Sequence, residues 1–222
     1  MKINAEIINI GDELLIGQVV NTNASYLAQS LNGIGIDVQK ISVIPDDKEA
    51  IVAALDHAFE NASLIVCTGG IGPTNDDITK LTLAEYFGMT LELSEEAYAD
   101  IEKMFAVRNF PMTESNRRQA YLPKDAVSFP NSRGTARGMW FEKEGKALVS
   151  MPGVPFEMTE MMKRSVVPKL KEFFLSDFHI IHKTLIVCGI GESFLADIIV
   201  DWESSLPKNI ALAYLPSPGY VR

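Results

Sequence analysis

Between Ala5 and Gly88 the chain switches repeatedly from short apolar runs to apolar residues at helical spacing. Ala5 to Ile10 reads as a strand that closes on Gly11-Asp12-Glu13. A loop through Gly17 leads to Asn21-Thr22-Asn23, after which Tyr26, Leu27, Ser30 and Leu31 recur at helical spacing. Asn23 or Thr22 is the expected N-cap, because a side-chain oxygen there accepts a bond from a free N–H of the first turn. Gly33 and Gly35 stop this helix, and Ile36 to Ile44 forms a second strand ended by Pro45-Asp46-Asp47. Ile51, Leu55, Ala58 and Phe59 mark one face of a second helix capped by Asp46 or Asp47. Leu64 to Val66 reads as a buried third strand, and a third helix spans Ile78 to Phe87 with Gly88 as its C′ residue. Strands alternating with amphipathic helices predict an α/β fold of three layers, a mostly parallel sheet with helices on both faces.

Beyond Gly88 the pattern breaks up. Ser94 caps an acidic-first helix, Glu95 to about Val107, and Thr113 starts a short one containing Asn116, Arg117, Arg118 and Gln119. Pro123, Pro130, Gly134 and Gly138 interrupt the next stretch. Met139 to Glu142 and Ala147 to Met151 predict a β-hairpin across Lys143-Glu144-Gly145-Lys146. Met151-Pro152-Gly153-Val154-Pro155 leads into a long helix whose Met158, Met161, Met162 and Val166 form a stripe suited to core packing, with a kink or restart expected at Pro168. Asp177 to His182 reads as a linker, followed by a strand at Lys183 to Cys188, a Gly189-Ile190-Gly191 turn, a helix carrying Phe194, Leu195, Ile198 and Ile199, and a strand at Ala211 to Leu215. The expected division is a domain over 1–176 and a small α+β segment over 177–222. A β-α-β piece of about 40 residues buries its own apolar face poorly, so the segment reads as the start of a second domain, cut short.

Composition narrows the function classes. With 222 residues, 47% of them hydrophobic, the chain can bury a full core. A net charge of −9 and a pI near 4.9 argue against a non-specific nucleic-acid binder or a membrane-surface protein. No run approaches the ~18 apolar residues of a membrane span. Asp12 and Glu13 fall where a signal peptide needs its apolar core. Cys67 and Cys188 both sit in apolar strand-like runs, which predicts free, buried thiols and a cytoplasmic protein. His179 and His182 lie three apart outside a helical pattern, without a third nitrogen or thiolate ligand nearby, so no zinc site is expected.

The candidate chemistry lies where the third strand ends. Gly69, Gly70 and Gly72 permit φ > 0 and let backbone N–H groups approach a ligand, and the helix after them aims its positive dipole end into the same space. The run lacks the Gly-Lys-Ser/Thr ending of a P-loop and the G-x-G-x-x-G spacing of a dinucleotide fingerprint. A tight turn would account for the glycines, and the helix dipole alone would account for Asp76 and Asp77. Yet Asp12-Glu13 and Asp76-Asp77 both leave carboxyl ends of predicted parallel strands, and therefore open on one edge of the sheet, where ligands of such folds bind. Carboxylates there suit a phosphate ligand if a divalent cation lies between them.

The run Gly69-Gly70-Ile71-Gly72-Pro73-Thr74-Asn75-Asp76-Asp77 resembles the signature of the molybdopterin-binding MoaB/Mog fold, in the variant found in CinA-like (competence/damage-inducible) proteins. Four more blocks match in order: Gly11-Asp12-Glu13-Leu14-Leu15 with Gly17 and Asn21-Thr22-Asn23; Asn116-Arg117-Arg118-Gln119-Ala120; Asn131 with Gly134-Thr135-Ala136 and Gly138; and Met151 through Met158. Arg137 stands where the family often has proline, and Met151 where leucine is common. The tail from about Lys183 resembles the family's small KH-type domain. The resemblance implies metal-dependent hydrolysis of the diphosphate of ADP-ribose, or of a similar nucleotide, to AMP and ribose 5-phosphate. The alternative it implies is a molybdopterin- or nucleotide-binding module, or a pterin adenylyltransferase using Mg²⁺ and ATP. It also suggests a homodimer, and for full-length members a C-terminal amidase acting on nicotinamide mononucleotide. On this reading Mg²⁺, Mn²⁺ or Co²⁺ sits on Asp76 and Asp77 with Asp12, and Glu157 orients or deprotonates water. Substrate contacts are expected from Gly11, Asn21, Thr22, Asn23, Gly69, Gly70, Gly72, Thr74, Asn131, Gly134, Thr135, Pro152 and Gly153. Capping and turn formation are the competing roles for the asparagines and for Gly134 and Thr135.

Overall fold

The first apolar run and the patterns after it fold, in the computed structural model, into β1 (Asn4–Ile10), α1 (Asp12–Leu15), α2 (Thr22–Asn32), β2 (Asp37–Ile44), α3 (Lys48–Asn61), β3 (Leu64–Thr68) and α4 (Thr79–Tyr86). The middle of the chain forms β4 (Leu91–Leu93), α5 (Glu95–Val107), α6 (Glu114–Gln119), β5 (Tyr121–Pro123) and β6 (Val127–Phe129). Then come β7 (Gly138–Lys143), β8 (Lys146–Met151), α7 (Pro155–Met161), a π-helical turn (Met162–Val166) and α8 (Val167–Phe174). A separate tail holds β9 (Val187–Cys188), α9 (Glu192–Ser204), β10 (Pro216–Ser217) and β11 (Tyr220–Val221). The structure describes residues 3–74, 77–107, 109–174 and 183–222. Two compact units result, Met1–Ile180 and Ile181–Arg222.

The main sheet has strand order β2-β1-β3-β8-β7-β6, with β2, β1, β3 and β8 parallel and β7 and β6 antiparallel to their neighbours. The strand period of two sends alternate residues to opposite faces. Ile7, Val66 and Val149 pack on one side with Leu27 and Leu31 of α2, Met158 and Met161 of α7, and Leu170 of α8. Ile8, Ile65, Cys67 and Leu148 pack on the other with Ile51, Leu55 and Ala58 of α3 and Leu83 of α4. Each such fully buried aliphatic side chain contributes roughly 1.5–3 kcal/mol relative to exposure. The expected three-layer, mostly parallel architecture is therefore present, and the methionine stripe is core.

Several local expectations need correction. The stretch after Gly11 contains one helical turn, α1, rather than loop alone. Asn21, not Asn23 or Thr22, caps α2, its side-chain oxygen accepting from the Ala24 N–H. β4, β5 and β6 each span three residues within the breaker-rich region, too short for a visible period. At Pro168 the helix restarts, as expected: a π-helical turn precedes it, and α8 starts at Val167. Asp47, Thr113 and Ser94 cap as expected, accepting from Ala50, Asn116 and Ala97.

The small unit pairs β10-β11-β9 antiparallel beside α9. The strand expected at Ala211 to Leu215 is absent, and of the expected strand from Lys183 only Val187–Cys188 pairs. Among its described residues Val221 alone is buried, in keeping with poor self-burial. These elements are α+β but do not single out a KH-type domain. Cys188 is exposed, against expectation, because its strand lies open; Cys67 is buried, and both are free thiols. The linker at Asp177 to His182, with both linker histidines, lies outside the described residues.

Candidate functional site

The order β2-β1-β3 places the connection from β1 on one side and the next parallel strand on the other, so a crevice opens between the carboxyl ends of β1 and β3. A cleft of about 370 Å³ lies there, lined among others by Gly11, Glu13, Asp46, Gly69 through Pro73, Asp77, Thr135, Pro152, Gly153 and Glu157. Of the expected substrate-contacting residues it brings together Gly11, Gly69, Gly70, Gly72, Thr135, Pro152 and Gly153. Gly134, beneath the Glu157 carboxylate, adjoins it. Asn21, Thr22, Asn23, Thr74 and Asn131 are outside its lining.

Close backbone packing explains the glycines. Gly69 has φ +104°, and a Cβ there would overlap the Ile10 carbonyl oxygen at the end of β1. Gly70 has φ +62°, and a Cβ would collide with Thr79 Oγ1 and lie 3.0 Å from Asp46 Oδ1. Gly153 approaches so closely that its Cβ would stand 3.3 Å from Gly69 Cα. The loop after β8 is thus laid against the loop after β3, a contact reinforced by Gly69 N–H donating to the Met151 carbonyl at 3.1 Å. Asn23 reaches across to donate to the Gly153 carbonyl at 2.6 Å. Its side-chain amide is committed to this bracing contact, and Asn21 acts as a cap.

Asp77 departs most from expectation. Its Oδ1 accepts from Gly72 N–H at 2.7 Å, and its Oδ2 accepts from Thr74 N–H at 2.9 Å and from the Thr74 hydroxyl. The carboxylate closes the glycine loop on itself, and Gly72 N–H is already committed to it. With Gly69 N–H bound to Met151, the cradle expected from three glycine N–H groups is correspondingly smaller. Asp76 lies outside the described residues, so the expected metal trio is represented by Asp12 and Asp77. The Asp12 backbone N–H donates to Asp46 Oδ2 at 3.2 Å. Among the described residues, no three His, Cys, Asp or Glu side chains are grouped closely enough to hold a metal ion.

Glu157, in the first turn of α7, accepts from Asn131 Nδ2 at 2.7 Å. That same amide nitrogen donates to the Ala136 carbonyl, and Asn131 Oδ1 accepts from the Arg133 and Gly134 N–H groups. Both polar side-chain atoms of Asn131 are therefore engaged in shaping the loop that bears Thr135 and in holding Glu157.

Three residues matter here that the sequence reading left without a site role. Asp46 lines the cleft, and its carboxyl pKa is raised by burial and by the negative charges of Asp12, Glu13 and Asp77, though the Asp12 N–H opposes this. It leaves the carboxyl end of β2, so the edge argument applied to Asp12 would have found it. Lys80 is pushed down to about 8 by burial, partly offset by Asp77, and donates to the Arg118 carbonyl at 3.0 Å. A lysine in the first turn of α4 opposes the helix dipole, which is a readable oddity. Gln119 donates to the Gly72 carbonyl, so the end of α6 holds both the glycine loop and the start of α4.

A cleft at the switch point of a mostly parallel sheet, walled by two glycine-bearing loops, defines an α/β domain with its ligand crevice at the carboxyl ends of the strands. The family of probable molybdopterin binding domains matches residues 6–172. A CinA-like protein of Flavobacterium psychrophilum is 44% identical over 221 residues, 98% of this chain and 52% of the relative. One from Chloroherpeton thalassium is 46% identical over 222 residues, again 98% and 52%. The crystal structure of CinA, of unknown function, from Thermoplasma acidophilum superimposes with TM-score 0.68 at 34% identity, covering 77% of this chain and 97% of that one. The molybdopterin biosynthesis enzyme MoaB of Thermus thermophilus shares the fold, with TM-score 0.53 at 19% identity over 78% of this chain and 95% of its own. The chain belongs to the probable molybdopterin binding domain family, within its CinA-like branch. It spans about half the length of the curated relatives it matches. Among the described residues no helix is long and apolar enough to cross a membrane.

Proposed function

We propose that the cleft between the glycine loop and the Pro152-Gly153 loop binds the phosphates of a nucleotide or pterin. The observation that carries this reading is the pair of positive-φ glycines, Gly69 and Gly70, lining the cleft at the sheet's switch point, where a side chain would strike the end of β1, Thr79 or Asp46. Gly70 and Ile71 line the cleft while Asp77, Gln119 and the Met151 carbonyl hold the loop rigid. Rigidity of this kind lowers the ordering cost of binding.

The acids fit a divalent cation arriving with the phosphates. Mg²⁺ commonly takes one or two protein carboxylates together with phosphate oxygens and water, so a complete protein cage is not required. Asp46, whose neighbours already disfavour its negative charge, and Asp77 are the carboxylates that would hold it. When bound, such an ion would screen the phosphates from the acidic wall and polarise a phosphoryl oxygen.

Hydrolysis of ADP-ribose is the second reading, favoured by Glu157, a carboxylate held by Asn131 at the cleft. In it, water attacks one phosphorus of the diphosphate, the P–O–P bond breaks, and AMP and ribose 5-phosphate leave. Glu157 would accept the proton of that water. The working protein is taken to be a cytoplasmic homodimer. The test incubates the purified chain with ADP-ribose and Mg²⁺, Mn²⁺ or Co²⁺, follows AMP, and measures binding by calorimetry. Binding without AMP supports the binding module, and AMP supports hydrolysis. Pyrophosphate release from ATP only when molybdopterin is supplied supports an adenylyltransferase. No binding of ADP-ribose, ATP or molybdopterin refutes the phosphate reading.

A further inference from the structure

A second cavity of about 520 Å³ adjoins the glycine-loop cleft, and Glu157 lines both. Its walls are two helix faces. Asp100, Lys103, Met104 and Val107 of α5 recur at helical spacing on one side, and Glu157, Glu160, Met161, Arg164 and Ser165 on the other. Pro130, Asn131 and Ser132 close its end. The π-helical turn over Met162–Val166 carries Arg164 and Ser165, and such turns recur at functional sites.

We propose that this slot receives the base of a purine nucleotide whose phosphates lie in the glycine-loop cleft, so that the two cavities form one elongated site with Glu157 at the junction. The proposal rests on the phosphate reading of the cleft. Each cavity by itself falls within the ~300–1,000 Å³ of ordinary ligand pockets, and Glu157, common to both linings, sets them side by side. Met104, Met161, Val107 and Pro130 offer apolar, polarisable surface for ring faces, since methionine sulfur packs well on aromatic rings. Asp100 and Glu160 supply acceptors for an exocyclic amino edge, and Ser132 and Ser165 can donate to ring nitrogens. Arg164 is tied to Glu160 at 2.5 Å, which fixes that rim.

Behind the slot, the buried Arg137 pairs with Asp100, which lines it, at 3.6 Å, and its Nη2 donates to Glu96 at 2.8 Å, so the α5 wall is held in place.

The experiment is calorimetric titration of ADP-ribose, AMP and inorganic pyrophosphate into the wild-type chain and into Ser132→Trp, an exposed loop position whose new ring would fill the slot. The expected result is at least a tenfold loss of affinity for ADP-ribose and AMP with pyrophosphate affinity unchanged. Met104→Trp, on the opposite wall, serves as an independent variant should Ser132→Trp fail to fold. Unchanged ADP-ribose affinity in a folded variant overturns the slot while leaving the phosphate reading intact, as does wild-type binding of AMP no tighter than that of inorganic phosphate titrated alongside. Absence of wild-type binding to all three compounds overturns both.

Discussion

Replacing Asp77 by Asn separates two roles for one carboxylate. In the folded chain its two oxygens accept from Gly72 N–H at 2.7 Å, from Thr74 N–H at 2.9 Å and from the Thr74 hydroxyl. An amide keeps one acceptor oxygen and turns an NH₂ group toward the remaining donors, so at least one charge-assisted bond becomes a donor–donor contact. Bonds to charged groups contribute roughly 1.5–3 kcal/mol, but Thr74 is exposed and water can take over its donors, so the expected loss is about 1–2 kcal/mol. Loss of a negative charge near Asp46 offsets a little of this, since Asp77 is the smallest of the charges raising Asp46. For a chain of this size the melting temperature should fall by roughly 2–8 °C. Scanning calorimetry measures it, and pyrophosphate titration in the presence of a chelator should show weaker binding, because a looser loop no longer presents its backbone. An unchanged or raised melting temperature, with only metal-supported ligand binding or turnover lost, would refute the clamp and return Asp77 to a purely metal-facing role.

Gly69→Ala forces a Cβ onto the Ile10 carbonyl oxygen at φ +104°, and should cost roughly 3–5 kcal/mol in urea unfolding; a loss below about 1 would mean that the strand ends are not so close. Lys80→Met should stabilise the protein at pH 7. The native pKa near 8 lies below the ordinary 10.5, so the native chain carries the penalty of a buried ammonium in full below pH 8, and stability rises with pH from about 8 to 10.5 as the unfolded chain holds the extra proton. Removing up to ~3 kcal/mol of penalty and losing about one hydrogen bond, to Arg118, leaves a net gain of roughly 1–2 kcal/mol, and Lys80→Met should flatten the alkaline rise; a destabilised variant at pH 7 contradicts this. Ellman's reagent should titrate Cys188 alone in the native chain and Cys67 only after unfolding, because Cys67 is buried with its pKa pushed up to about 12; two thiols reacting at once in native buffer would count against the core.

The fold was legible where the apolar period was long. Eight to fourteen residues of unbroken pattern, as in α2, β2 and α3, left little freedom of assignment. β4, β5 and β6 escaped because three residues carry no measurable period and their pairing is set by tertiary packing. Parallel topology fixes where strand ends face, and Glu13 and Asp77, expected on one edge of the sheet, do line one cleft. Side-chain roles were less legible. Asn23, Asn131 and Asp77 carry the donors and acceptors that a ligand site needs, yet the fold spends them on Gly153, on Glu157 with the Ala136 carbonyl, and on the glycine loop. Composition and spacing cannot tell a group that touches ligand from one that holds the loop touching it. The departure at Arg137 puts a buried guanidinium against Glu96, which it holds below the usual carboxylate range.

The central claim, that the switch-point cleft is an anion site, is tested most directly by a ¹⁵N amide shift titration of the chain with ADP-ribose. The account predicts saturable shifts centred on Gly11, Gly70, Ile71, Thr135 and Gly153, residues that line the cleft. Saturable binding that leaves these amides unmoved and shifts others would contradict it.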